Sequence, residues 1–80
     1  MSLRDRVCAS VASVFDADVE SITDKTSPED LMQWDSLGHM RVITALEETF
    51  AVQYELDEIM EATSVGTIIE QLRGKGCADE

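Results

Sequence analysis

Three stretches of this chain repeat apolar residues at helical spacing, and none alternates them as a strand would. Leu3, Val7, Val11, Val14 and Phe15 fall on one face at about 100° per residue. Leu37, Met40, Val42, Ile43, Leu46 and Phe50 do the same over a broader arc of roughly 220°. Val65, Ile68, Ile69 and Leu72 complete the set at i, i+3, i+4 and i+7. Ser2 and Asp5 have capping-box spacing before the first stretch, Thr63 or Ser64 caps the last, and Gly74 stops it. A short helix is expected around Asp57–Glu61, with Leu56, Ile59 and Met60 facing inward. The fold class is therefore all-α. It is a small four-helix bundle of three longer helices and one short one, with a long loop between the first two.

That loop, from Asp16 to Trp34, is too long to lie free in a compact domain. Val19, Ile22, Leu31 and Met32 are its expected anchors, and Ser27-Pro28 suggests an N-cap and first position of a short helical turn. One domain over residues 1–73 and a flexible tail over 74–80 follow. The second helix, Ser36 to about Phe50, leaves Gly38, Arg41, Ala45 and Glu48 as its solvent strip. Glu47 falls inside the apolar arc and must reach the edge or find a partner.

With only 80 residues the core is near the lower limit for independent folding, and the charge balance narrows what such a domain can bind. Seventeen acids against six bases give a net charge of −11. A nucleic-acid backbone or an anionic membrane would be repelled, whereas a basic protein surface would be attracted. Simple solubility explains the charge equally well. No segment has the apolar length of a signal peptide or a membrane span. Cys8 and Cys77 form neither a disulfide framework nor a metal site, which fits a reducing cytoplasm with incidental thiols, and a monomer is expected.

Ser36, in DLMQWDSLGHM, is the residue that asks for an explanation. As a nucleophile it lacks an oriented base, since His39 is the single histidine and nothing marks an acid to hold it. His39 reads as a partly buried structural residue. A calcium loop starting at Asp16, with Asp18 and Glu20, fails because Ser21 and Ser27 stand where glycine and glutamate are required. No metal site is expected. Ser36 can instead be the substrate of another enzyme, because a phosphate ester at a helix start meets free N–H groups and the favourable end of the dipole. Capping by Asp35 or Ser36 is compatible with that role.

Asp35-Ser36-Leu37 opening the second helix of a small acidic domain resembles the acyl carrier proteins. "TSPEDLMQWDSL", "ALEETF" and "TSVGTIIEQL" extend the resemblance over Leu3 to Leu72. The family implies 4′-phosphopantetheine on Ser36, flanked by Asp35 and Leu37, delivered from coenzyme A by a separate phosphopantetheinyl transferase that uses magnesium. It implies a carrier of acyl or aminoacyl thioesters and not an enzyme. Its partners would be an acyl-loading ligase or acyltransferase, then condensing or transfer enzymes with basic surfaces. These would meet Gly38, Arg41, Ala45, Glu47, Glu48, Asp57, Glu58 and Glu61. Leu46, Phe50, Ile59, Met60 and Ala62 form an acyl slot by the same resemblance, or ordinary core. Trp34 shields the arm, contacts the transferase or packs on the loop. Arg41 and Gly38 stand where fatty-acid carriers commonly present acids. The resemblance thus leans toward specialised polyketide, peptide or related pathways, with fatty acid biosynthesis as the alternative. An unmodified acidic interaction domain of the same fold is the competing reading.

Overall fold

The computed structural model describes residues 2–77. Helix α1 spans Leu3–Phe15, α2 Ser36–Phe50, α3 Leu56–Glu61 and α4 Val65–Gly74. There is no strand among the described residues. The capping box at Ser2 forms as expected: Asp5 N–H donates to Ser2 Oγ at 3.1 Å, and Ser2 N–H donates back to the Asp5 carboxylate. Ser64 caps α4 by accepting the Thr67 N–H. The C-terminal ends of α1 and α2 turn through left-handed residues that are not glycine, Asp16 (φ 51°) and Ala51 (φ 55°).

α1 packs against both α2 and α4. Leu3, Val7, Val11 and Phe15 meet Val42, Ile43 and Leu46 from α2 and Val65, Ile68, Ile69 and Leu72 from α4. Each fully buried aliphatic side chain contributes about 1.5–3 kcal/mol of transfer free energy. The connections add Ile22, Trp34, Tyr54 and Ala62 to this core.

The long loop is tied down by polar contacts as well as apolar ones. Gly66 N–H donates to Asp24 O at 2.8 Å and Val65 N–H to Thr26 O at 2.9 Å, which straps the loop across the start of α4. Arg4 forms a bidentate pair with Asp24, one arm at 2.8 Å. Of the four expected anchors, Ile22 is buried and Leu31 packs on the core. Val19 and Met32 do not anchor: they are 47% and 96% exposed. Val19–Ser21 forms a single 3₁₀ turn instead, and the Ser27-Pro28 segment closes a hydrogen-bonded turn on Asp30 without becoming helical.

A further expectation is corrected. Leu56 and Met60 face solvent, at 70% and 71% exposed, because a six-residue helix turns only one narrow side, through Ile59, toward its neighbours. Residues 74–77, the first part of the expected tail, make hydrogen bonds to the body of the domain. Gly74 ends α4, Lys75 Nζ donates to Gln53 O at 2.7 Å and to Glu58 at 2.8 Å, and Cys77 N–H donates to Leu72 O. The remainder of that tail, 78–80, lies outside the described residues.

Candidate functional site

Ser36 is the first residue of α2 and is exposed. Asp35 caps the helix, its Oδ1 accepting the Gly38 N–H at 2.9 Å, while its carbonyl accepts the His39 N–H at 2.7 Å. The N–H groups of Ser36 and Leu37 have no partner among the described residues and sit at the positive end of the helix.

The segment before Ser36 is held from beneath. Trp34 is 2% exposed, tilted against Phe15 at 5.8 Å and stacked beside His39 at 6.1 Å. Its indole N–H donates to His39 Nδ1 at 2.9 Å, and His39 Nε2 lies 2.7 Å from the Ile59 carbonyl. His39 is thus the half-buried structural residue anticipated, and Trp34 is core that also reaches the site. A cavity of about 480 Å³ opens beside Ser36, lined by the loop at Ser27–Glu29, by Trp34 and His39, and by Ile59, Met60, Ala62 and Thr63 of the α3 region. A larger depression of about 1100 Å³ lies between α1 and the following loop and touches none of these residues.

The expected acyl slot is split by this geometry. Ile59, Met60 and Ala62 line the cavity, whereas Leu46 is fully buried core and Phe50 packs on the core elsewhere.

The solvent strip of α2 is rotated from its expected position. Gly38 is buried, and Ala45 is half-buried. A β-carbon on Gly38 would overlap the Gln33 carbonyl oxygen and stand 2.9 Å from the Phe15 ring, so glycine is required for the loop to cross the helix there. The exposed side carries Leu37 (74%), Met40 (47%), Arg41, Thr44 and Glu48. Leu37 and Met40 were expected inside. Helical period alone does not distinguish the edge of an apolar arc from its centre, and only the neighbours decide. Arg41 Nη2 donates to the Val14 carbonyl near the end of α1 at 3.0 Å.

The acidic residues divide as well. Glu48, Asp57 and Glu61 are exposed. Glu47 is half-buried and accepts the Tyr54 N–H at 2.9 Å, which resolves its place in the apolar arc. Glu58 accepts from Lys75 and from the Glu55 N–H, and these bonds hold its carboxyl below the usual range. Nothing near Lys75 in the sequence signals that pairing. Burial raises the Tyr54 phenol, whose hydroxyl has no partner among the described residues.

Among the described residues, no group of three or more His, Cys, Asp or Glu side chains is placed to hold a metal ion. No helix among them is long and apolar enough to cross a membrane. A family model described as a phosphopantetheine attachment site matches residues 5–72. The solution NMR structure of holo acyl carrier protein from Geobacter metallireducens superposes with a TM-score of 0.83 at 32% identity, covering 94% of this chain and 86% of that one. Fold and match together define a carrier domain, not a catalyst, whose cofactor is covalent 4′-phosphopantetheine. The chain belongs to the acyl carrier proteins of the phosphopantetheine-attachment family.

Proposed function

We propose that Ser36 is the attachment residue, and that the chain carries acyl or aminoacyl groups for a dedicated biosynthetic pathway of polyketide, peptide or related type. The observation that carries the assignment is an exposed hydroxyl at the first position of α2, beside an open cavity and two N–H groups that have no partner among the described residues. That setting fits the group. A phosphodiester on Ser36 Oγ is favoured there by the helix dipole, and Asp35, by taking the Gly38 N–H, leaves the first two N–H groups available to it. When bound, the arm supplies a terminal thiol that holds cargo as a thioester. The chain's own residues do only mechanical work: Asp35 caps, Trp34 and Gly38 hold the loop against α2, and Ser36 is presented to a partner. Tethering then gives each docked enzyme an effective cargo concentration of order mM.

Glu48, Asp57 and Glu61 are each exposed, and we assign this acidic surface to docking of a phosphopantetheinyl transferase, an acyl-loading enzyme and downstream enzymes with basic faces. Arg41 interrupts that surface on α2 and favours a dedicated pathway over bulk fatty acid biosynthesis. The two free thiols, Cys8 and Cys77, suit a reducing cytoplasm.

Incubation with coenzyme A and a promiscuous transferase, followed by mass measurement, tests the assignment. A single adduct that vanishes in Ser36→Ala is the expected result. No adduct with several transferases would leave an unmodified interaction domain as the better reading.

A further inference from the structure

His39 is bonded at both ring nitrogens, to partners on two different elements. An indole N–H only donates and a carbonyl only accepts, so the Trp34 and Ile59 contacts require the tautomer with its proton on Nε2. The ring belongs to α2 and its acceptor to α3, which makes it a strut across the seam between them. α3 is also held by Ile59, which packs on the core. Leu56 and Met60 point to solvent, and two further ties of α3 run to α4 and the residue after it: Gln71 Nε2 donates to Glu58 O at 2.9 Å, and Lys75 Nζ to the Glu58 carboxylate. Both ends of the strut, His39 and Ile59, line the cavity at Ser36. Leu46, fully buried, belongs to the core and takes no part in that cavity.

We infer that His39 is a specificity-determining residue: its bridge to Ile59 bars an acyl chain tethered at Ser36 from the core and confines it to the open cavity against Trp34, Ile59 and Met60. This rests on Ser36 being the attachment residue. The cavity wall also carries Ser27, Glu29 and Thr63, so short or polar acyl groups find partners there. A long aliphatic chain stays in water along much of its length and gains least.

The test uses protein loaded with octanoyl-4′-phosphopantetheine from octanoyl-coenzyme A by a promiscuous transferase, adenosine 3′,5′-bisphosphate leaving, with loading verified by mass. Isotope-edited NOE spectra of the wild type should connect the chain to Trp34, Ile59 and Met60, and not to Leu46. Thioester cleavage by hydroxylamine should match a free octanoyl thioester in the wild type. It should slow about tenfold in His39→Ala, the protection given by a chain sequestered about nine-tenths of the time. His39→Gln, which keeps a donor for Ile59 O, should restore the wild-type rate. Contact with Leu46 in the wild type, or cleavage equally fast in His39→Ala, overturns the inference alone. Should His39→Ala fail to fold, the wild-type NOEs decide. A missing adduct, or one that survives Ser36→Ala, overturns the assignment of Ser36 and this inference with it.

Discussion

Gly38 lies directly against the Gln33 carbonyl, so closely that a β-carbon on residue 38 would overlap that oxygen. The contact presses the loop onto the first turn of α2 and thereby sets where Ser36 emerges. Gly38→Ala cannot be relieved by a side-chain rotation, because the obstacle is backbone. The substitution should cost about 1–3 kcal/mol in urea unfolding and slow modification of Ser36. A variant as stable and as readily modified as wild type would show that the crossing does not position the serine.

Glu47 and Glu48 are neighbours in sequence with different duties. Glu47 accepts the Tyr54 N–H, and Glu48 is exposed. Glu47→Lys should therefore lose about 1–3 kcal/mol of stability by stranding that donor. Glu48→Lys should leave stability nearly unchanged but slow transfer or acyl loading, with the deficit shrinking as salt screens the encounter. Equal destabilisation by the two reversals would contradict this division.

The Glu58 carboxyl is depressed chiefly by its hydrogen bond from Lys75 and then by the Glu55 N–H. Asp24 is depressed likewise, chiefly by its hydrogen bond from Arg4. A carboxyl lowered in the folded state contributes stability above its unfolded pKa and loses it as pH falls through the folded one. The urea midpoint should accordingly decline as pH drops below about 5. Lys75→Ala should flatten that decline by removing the main cause at Glu58. An unchanged slope would mean the Lys75 bond is not formed in solution.

Helices were legible because their signals are local. The Ser2–Asp5 box, the Ser64 cap and the spacing of Val65, Ile68, Ile69 and Leu72 each act within a few residues, and all appear in the structure. Ser36 was legible for the same reason, as a hydroxyl at a helix start. Orientation was less so. Leu37, Met40, Leu56 and Met60 carry apolar side chains at positions that period alone assigns inward, yet neighbouring elements do not cover them. Gly38 looks like a small surface residue until the crossing chain is seen above it. Contacts between distant positions, such as Lys75 with Glu58, His39 with Ile59 and Asp24 with the start of α4, leave no trace in local pattern. They decide which of the acidic residues are free to meet a partner.

The indole bonded to His39 is the chain's single tryptophan, so its ultraviolet emission is an optical gauge built into the wall of the cavity. Any event that changes the surroundings of that ring can be timed from one intrinsic fluorophore, without attaching a dye to the surface.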